Sequence, residues 1–332
     1  MELTTIWFIL IAVLWTGYFV LEGFDFGVGV LLPYVSRDEA DRRLVVASIG
    51  PVWDGNEVWL LVAGGATFAA FPEWYATLFS GFYLPLFLIL LALIARGIAL
   101  EYRNKSDSTR GWDRTFFWGS LAPAFLWGVA FANIVRGVPL DARHEFTGNL
   151  LTLLSPYALL GGVTTLALFT FHGALFLTLR TNGELRQTSA RVGRQAGLAA
   201  FLAGGLFLLL TQLNDPKPAT WVTTVLAAAG IAAALALIGR RDGWAFTANT
   251  VAIVAITATL FGGLWPDVMP ALDPANSLTV TNASSTPYTL SVMTWVAAIF
   301  TPVVLAYQAW TYWVFRRRLT APRDESPVRQ GS

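Results

Sequence analysis

The sequence predicts an all-α integral membrane protein with nine transmembrane helices, and three observations support this fold class: composition, apolar stretches and the distribution of basic residues. Apolar residues make up 55% of the 332 residues, charged residues only 13%, and the mean hydropathy is +0.57. Mostly apolar stretches of roughly 18–25 residues, which cross about 30 Å of hydrocarbon as a helix, recur along the chain. The predicted spans are residues 6–32, 52–71, 78–100, 116–135, 156–179, 196–213, 220–238, 245–265 and 291–314.

The first span is predicted to stay in the mature protein. The only charged residue before it is the acidic Glu2, whereas a signal peptide begins with basic residues. Its apolar stretch is also longer than the core of a signal peptide. We therefore interpret it as a membrane helix and not as a cleaved leader.

The distribution of lysine and arginine supports the remaining spans, because cytoplasmic loops hold an excess of these residues. Of the 22 basic residues, 18 fall in one set of alternate connecting segments, 3 fall in the opposite set, and Arg96 lies within a span. One missed or additional span would destroy this asymmetry. The sequence therefore predicts an outside N-terminus, a cytoplasmic C-terminus and a disordered basic tail over residues 316–332, with no sign of nucleic-acid binding.

Four carboxylates mark the cytoplasmic ends of the first two spans. Glu22 and Asp25 lie in the cytoplasmic half of the first span, and Asp54 and Glu57 lie at the start of the second. Each pair is spaced by three residues, which places both carboxylates on one helix face. Charged groups at this depth cost on the order of 2.5–3.5 kcal/mol each, so they usually mark a route for protons, ions or substrate. We interpret these residues as a cytoplasmic vestibule that moves protons.

Arg96 of the third span reaches a similar depth. A guanidinium stays charged at any accessible pH, so we predict that Arg96 pairs with at least one carboxylate of the set Glu22, Asp25, Asp54, Glu57 and Glu101. Burial and mutual repulsion favour protonated carboxylates and Arg96 favours charged ones, and the residues alone leave both states open. In an alternative interpretation the carboxylates are interfacial and pair with Arg37, Arg42 or Arg43.

Glycines in the first two spans predict close helix contacts. Gly23 and Gly27 are four residues apart and form a pair of small residues that permits close helix approach. Gly55 removes a side chain beside Asp54. We therefore expect the first span to lie tightly against a neighbouring helix.

The inventory of metal ligands argues against a cofactor held by this chain. There is no cysteine, which excludes disulfides, iron–sulfur clusters and thiolate haem ligation. His144 lies in an external loop and His172 near the cytoplasmic end of the fifth span, so the membrane core has no bis-histidine haem site. We expect no haem and no metal in this chain alone. His172 is either a hydrogen-bonded packing residue or a proton relay.

Several motifs together resemble one family. They are Glu22-Gly-Phe-Asp-Phe-Gly-Val-Gly29, Gly50-Pro-Val-Trp-Asp-Gly-Asn-Glu-Val-Trp-Leu60, Phe79-Ser-Gly-Phe-Tyr83, Arg96-Gly97, His172-Gly173-Ala174, Arg180-Thr181 and the run from Leu278 to Ser285. These segments look like subunit II of the cytochrome bd family of bacterial quinol oxidases. The match covers the chain nearly end to end, and the Trp-Asp-Gly-Asn core with its flanks is specific.

The resemblance implies a role within a larger complex. In this family, subunit I carries two b-type haems and one d-type haem and oxidises quinol, while subunit II has a related nine-helix fold without haem. The implied partners are subunit I and membrane lipid, and the resemblance leaves open whether small single-helix accessory subunits attach and whether a structural quinone or lipid binds this subunit. The implied location is the bacterial inner membrane, and the implied reaction reduces oxygen to water with protons taken from the cytoplasm.

The resemblance also implies site residues. Asp54 matches the proton-pathway aspartate of the Trp-Asp-Gly-Asn motif, and Asp25 matches the acidic position of the Gly-Phe-Asp motif. Glu57 departs from family members that carry glutamine there. The predicted pathway consists of Asp25, Asp54, Glu22, Glu57 and Arg96, and the candidates for a relay or a structural role are His172, Asn56, Trp53 and Glu101.

The domain organisation implied by the family is one membrane unit over residues 1–315. It consists of a first four-helix bundle at about residues 1–140, a second at about 150–265 and a peripheral last helix at 291–314. The joint between the bundles is expected in a cytoplasmic loop at residues 181–194. No linker rich in proline, glycine or serine separates the two halves.

Two other functions remain open. A secondary transporter would also carry polar residues within its helices, but it usually has matched broken helices in both halves around a midplane site. Here the carboxylate clusters occur only in the first half. A purely structural partner of a haem subunit agrees with everything except the acidic vestibule.

Overall fold

The computed structural model describes residues 2–319 and is built almost entirely of helices. In chain order these are α1 (Leu3–Val35), α2 (Glu39–Ile49), α3 (Trp53–Ala70), α4 (Pro72–Gly81), α5 (Tyr83–Tyr102), α6 (Arg110–Arg136), α7 (Pro156–Arg180), α8 (Gly183–Asn214), α9 (Pro218–Leu237), α10 (Asp242–Leu264) and α11 (Pro287–Val314). A small antiparallel hairpin of β1 (Asp267–Met269) and β2 (Leu278–Thr279) lies between α10 and α11.

The prediction of a helical, multi-pass membrane protein is confirmed. Within residues 2–319, eight helices are long and apolar enough to cross a membrane. The predicted second span corresponds to α3, which is not among the eight. This helix has only 18 residues, and its first turns carry Asp54, Asn56 and Glu57, which lower its hydropathy. The total of nine spans therefore stays a prediction.

Two predicted boundaries are wrong. The third span, residues 78–100, is interrupted, because α4 ends at Gly81 and α5 begins at Tyr83. The expected loop at residues 181–194 is mostly helix, since α8 begins at Gly183. Its polar residues are largely good helix formers with no proline among them, so the helix continues from the surface into the apolar stretch.

The first residues of the predicted disordered tail are ordered. The backbone N–H of Leu319 donates to the Arg180 carbonyl at 2.7 Å, and Arg318 forms an ion pair with Asp242 at 3.3 Å. Residues 316–319 therefore lie against the ends of α7 and α10. The rest of the predicted tail, residues 320–332, lies outside the described residues.

Helix α1 lies at the centre of the packing. It contacts α3, α6, α7 and α10, while α9 packs on α10 and α8 packs on α7. Helix α11 contacts α1 and α3, and within the described residues Leu290 is the one residue of this helix that is buried. The position of α1 allows one helix to bring its polar residues to several neighbours.

Helices α1 and α7 approach closely because glycine faces glycine. A Cβ on Gly27 would lie 2.8 Å from the Cα of Gly173 and would overlap the carbonyl oxygen of Phe169. One turn earlier, a Cβ on Gly23 would lie 2.7 Å from the ring of Phe169. The expected close approach at Gly23 and Gly27 is confirmed, and its neighbour is α7.

Ion pairs fasten the helix ends that follow α1. The Arg103 Nε donates to Asp113 Oδ1 at 2.6 Å, and Arg103 Nη1 lies 3.1 Å from Glu39 Oε1. Partial burial opposes a charge on Glu39, but the hydrogen bonds and charge of Arg103 outweigh it and lower the pKa of Glu39. These contacts tie the starts of α2 and α6 to the end of α5.

We predict that Gly27→Ala destabilises the protein. The added methyl group has no room against α7, and overpacking of this kind costs typically about 1–3 kcal/mol. The melting temperature of the purified complex in detergent should therefore fall. The matched control is Gly205→Ala on α8, where nothing lies within 4 Å of an added Cβ. Equal melting temperatures for the two variants would contradict the proposed packing role.

Candidate functional site

The candidate site is a buried polar cluster where α1, α3, α5 and α11 meet. Glu22 and Asp25 lie in the second half of α1, and each is 0% exposed. Their spacing of three residues directs both carboxylates to neighbouring positions on one side of the helix. Glu22 contacts Arg96 of α5 and Asp25 contacts Asn56 of α3, so one face of α1 bonds to two neighbouring helices.

Arg96 is the cation of this cluster. It is fully buried on α5, it forms an ion pair with Glu22, and its Nη2 lies 3.2 Å from Oε2 of Glu57. The guanidinium also lies 4.9 Å from the centre of the Phe26 ring. The prediction that Arg96 pairs with a carboxylate is confirmed. Because the side chain of Glu57 is 26% exposed, Arg96 connects a buried carboxylate to one that reaches the surface.

Asn56 joins α1 to α3 and α11. Its Nδ2 donates to Oδ2 of Asp25 at 2.7 Å, and its Oδ1 accepts hydrogen bonds from the Tyr312 hydroxyl at 2.7 Å and from Gln308 Nε2 at 3.1 Å. A neutral amide has no titratable proton at physiological pH. Asn56 therefore positions Asp25 and links it to the last helix.

Asp54 lies on the opposite side of α3 from Asn56. It is exposed, and its Oδ1 accepts the backbone N–H of Gly55 at 2.7 Å. Exposed apolar residues continue the same face at helical spacing, namely Val58, Leu61 and Phe68. The first turns of α3 thus present Asn56 and Glu57 to the buried cluster and the carboxylate of Asp54 to the outside of the subunit.

His172 lies outside this cluster and holds α7 against α1 and α10. Its Nε2 lies 3.1 Å from the Val20 carbonyl oxygen, so this nitrogen carries the hydrogen, and its Nδ1 accepts from Asn249 Nδ2 at 3.1 Å. The ring stacks on Phe246 at 4.5 Å between centroids. Both ring nitrogens are engaged, which favours the packing interpretation over a relay.

Two other predicted residues lie apart from the carboxylates. Glu101 is exposed and its nearest cation is Lys105 at 4.0 Å, so it does not join the cluster. Trp53 packs beside Gly97 of α5, where an added Cβ would lie 3.5 Å from the indole ring. Trp53 therefore contributes packing between α3 and α5.

The alternative in which the cluster pairs with the arginines after α1 is wrong. Arg37 forms an ion pair with Asp41 at 2.7 Å, and the partner of Arg43 is Glu39 at 3.3 Å. The nearest carboxylate oxygen to Arg42 belongs to Asp113, at 3.7 Å. These acidic residues all lie in the connecting segments or at helix ends, which leaves Arg96 as the cation of the buried carboxylates.

Sequence reasoning missed Gln308 and Tyr312. Both stand in the mostly apolar last span with a spacing of four residues, so they share one helix face. An amide and a hydroxyl on one face of a membrane helix are a signal for an internal partner. That signal was present, but the partner, Asn56, lies about 250 positions earlier in the chain and has no local marker.

An apolar cavity of about 470 Å³ lies beside α1, between α3, α4, α5 and α6. Its walls include Trp15, Leu60, Phe79, Leu86, Trp127 and Phe131, and no histidine, cysteine or methionine lines it. Such a wall suits an apolar chain. Within residues 2–319, no group of three or more histidine, cysteine, aspartate or glutamate side chains is arranged to hold a metal ion.

Comparisons with known proteins confirm the resemblance. The family described as "Cytochrome bd terminal oxidase subunit II" matches residues 3–315. The cytochrome bd ubiquinol oxidase subunit 2 of Bacillus subtilis (strain 168) is 39% identical over 329 residues, covering 96% of this chain and 97% of its own. The cytochrome bd-I ubiquinol oxidase subunit 2 of Escherichia coli (strain K12) is 36% identical over 362 residues, covering 95% and 94%.

A solved structure supports the fold. The bd oxidase from Geobacillus thermodenitrificans matches with a TM-score of 0.77 at 16% identity, covering 95% of this chain and 99% of the compared chain. At that identity the match shows the fold alone. The predicted multi-pass bacterial inner-membrane protein, acting as one subunit of an oxidoreductase complex, is confirmed by the family match and the apolar helices. The chain belongs to the cytochrome bd terminal oxidase subunit II family.

Proposed function

We propose that this chain is the haem-free subunit of a quinol:oxygen oxidoreductase. It supports the haem-bearing subunit I and supplies a path for the cytoplasmic protons that are consumed when oxygen is reduced to water. The observation that carries this proposal is the placement of two fully buried carboxylates, Glu22 and Asp25, next to a helix that carries Asp54 on its outer side. Buried ionisable groups of this kind in membrane helices mark proton routes.

The proposed topology has nine spans, with α3 as the second, an outside N-terminus and a cytoplasmic C-terminus. The basic residues support it, because 18 of the 22 lysines and arginines lie around the junctions α1–α3, α5–α6, α7–α8 and α9–α10 or after α11. Helix α1 ends and α3 begins on that same basic side. The cluster therefore faces the compartment from which protons would be taken.

The proposed path begins at Glu57, the partly exposed member of the cluster, and continues past Arg96 to Glu22 and Asp25. Within the described residues, the second carboxylate oxygen of Asp25 and the Nε and Nη1 of Arg96 have no hydrogen-bond partner. Buried polar groups without protein partners are sites where internal water binds and carries protons. Asn56 holds the Asp25 carboxylate on one side of α3, and Asp54 receives protons on the other.

The outer face of α3 is the proposed contact with subunit I. An exposed carboxylate beside Val58 and Leu61 would be costly against lipid, since charged groups are poorly tolerated in hydrocarbon. A partner subunit with polar groups at this depth removes that cost. Asp54 would then stand at the subunit boundary, where it passes protons to the oxygen-reducing haem of the partner.

The ligand inventory supports the haem-free assignment, because the chain has no cysteine and only two histidines, and His172 is fully hydrogen-bonded. The apolar cavity beside α1 is the proposed place for a structural quinone or lipid tail. One experiment tests both assignments: the visible spectrum and the organic extract of the chain purified without its partner. We expect no haem band and a bound apolar lipid or quinone, and stoichiometric haem would refute the first assignment.

We predict that Asp54→Asn slows turnover of the complex without changing its haem content. The amide keeps the shape of the carboxylate but removes its exchangeable proton. Groups that transfer protons contribute about 10²–10⁴-fold in rate, so oxygen consumption should fall at least about ten-fold. The control is Asp107→Asn, an exposed aspartate between α5 and α6. Full activity in an assembled Asp54→Asn complex would remove Asp54 from the path.

A second prediction separates the structural and protonic roles of Glu22. Arg96→Gln leaves Glu22 as an unpaired buried carboxylate, which costs typically about 3–5 kcal/mol, so the yield of assembled complex should fall. Adding Glu22→Gln removes both charges and should restore assembly and haem content. If Glu22 carries protons, the assembled double variant should consume oxygen more slowly than the wild type. We expect this difference in inverted vesicles at every pH on the cytoplasmic side.

Wild-type turnover in the double variant would contradict a protonic role of Glu22 and restrict the ion pair to a structural role. Arg96→Lys serves as the conservative comparison, because it keeps the charge and loses the planar fork of the guanidinium.

A further inference from the structure

We propose that the chain holds one anionic phospholipid headgroup in a second cavity, between the end of α1 and the start of α6. This cavity has a volume of about 370 Å³ and lies apart from the proton site. Its walls include Arg42, Arg110, Arg114, Asp113, Tyr34 and Phe117. The inference does not depend on the proposed proton path.

The cavity carries an excess of positive charge. Three guanidiniums line it and only one carboxylate, Asp113, which already accepts hydrogen bonds from Arg103 at 2.6 and 3.4 Å. Arg42 lies 3.7 Å from that carboxylate, which is too far for a hydrogen bond. Within residues 2–319, Arg110 and Arg114 take part in no ion pair and are exposed. Among the described residues, no carboxylate therefore neutralises the charge of Arg110 and Arg114 in this cavity.

The chemistry of the cations indicates a phosphate. A guanidinium presents several N–H donors in a planar fork that matches the oxygens of a phosphate group, and it holds this charge at any accessible pH. Arg110 and Arg114 are four residues apart, so they stand on one face of α6, and Arg42 approaches from α2. A phosphate between them would be bound from two sides.

The apolar part of the wall identifies the source of the phosphate as a lipid. Tyr34 and Phe117 lie with ring centroids 6.3 Å apart, next to Leu32, which is buried in the end of α1. From this point α6 continues as a membrane-crossing helix. A headgroup at the arginines would thus have its glycerol and acyl chains beside aromatic and apolar surface, whereas a free phosphate would leave that surface unused.

General attraction of basic residues to the membrane does not account for this arrangement. Arg191 and Arg240 are also exposed and lie on the basic side, yet neither lines the cavity. They supply a matched comparison that removes the same charge from the same side. The test therefore compares two double variants of the complex. The cavity pair carries Arg110→Gln together with Arg114→Gln, and the control pair carries Arg191→Gln together with Arg240→Gln.

Each complex is purified with its partner subunit in mild detergent, washed, and analysed by native mass spectrometry for retained phosphatidylglycerol. We expect the wild type and the control pair to retain one more anionic lipid than the cavity pair. In titrations with phosphatidylglycerol, the cavity pair should bind about ten-fold or more weakly, because each basic residue near the surface contributes to lipid attraction. Neutral phosphatidylcholine should not distinguish the complexes.

Several outcomes would overturn the proposal. Equal loss of lipid in the cavity and control pairs would assign the retention to general charge, and no retained lipid in the wild type would remove the site. If inorganic phosphate raises the melting temperature of the wild type as much as phosphatidylglycerol does, the ligand is a free anion. If the cavity pair does not assemble, Arg110→Lys with Arg114→Lys keeps the charge but loses the fork, and unchanged lipid retention there would also contradict the proposed site.

Discussion

The buried ion pair between Arg96 and Glu22 is the interaction on which the rest of the site depends. Both side chains are 0% exposed, and removing two charges from water costs several kcal/mol even after relaxation. The pair is tolerable only if the helices that carry it stay close together. Gly119 of α6 makes room for it, since a Cβ there would lie 2.9 Å from the Cβ of Arg96. One ion pair thus fixes the positions of α1, α5 and α6 around the carboxylates.

The same constraint explains the unusual composition of α3. A helix that begins with two carboxylates and an amide is poorly suited to lipid, and α3 is accordingly less apolar than α1 and α5, the helices that supply its polar partners. Asn56 avoids the cost by facing Asp25, and Glu57 avoids it by facing Arg96. Among residues 2–319, Asp54 has no such partner on another helix, because it lies on the other side of α3. Under the proposed function, the partner subunit supplies Asp54 with polar contacts, as α1 does for Asn56 and α5 does for Glu57.

Much of the site could be predicted from the sequence because its signals are local. Charged residues within apolar stretches, spaced by three, predicted the buried cluster, and Arg96 was assigned a partner from depth alone. Depth was not enough for Glu101. It lies five residues after Arg96, so it projects from a different side of the helix and points away from the cluster.

The contribution of Gln308 and Tyr312 depends on contacts between distant segments, which no spacing in the chain reveals. The start of α8 was misassigned because polar residues at a membrane surface are typical of a loop and equally of a helix that extends beyond the bilayer.

Helices α7 and α10 support the site without adding carboxylates to it. Helix α7 contacts the polar half of α1 through Gly27 and Gly173, and His172 accepts from Asn249 while donating to the Val20 carbonyl, two residues before Glu22. A backbone carbonyl fixed at this point restricts rotation of α1 about its axis. Rotation by one residue would turn Glu22 away from Arg96, since successive residues in an α-helix are about 100° apart. The packing of α7 and α10 therefore holds the carboxylates in register with α3 and α5. Because α7 and α10 contribute packing while α1, α3 and α5 carry the charged groups, the carboxylate clusters occur in only one half of the molecule.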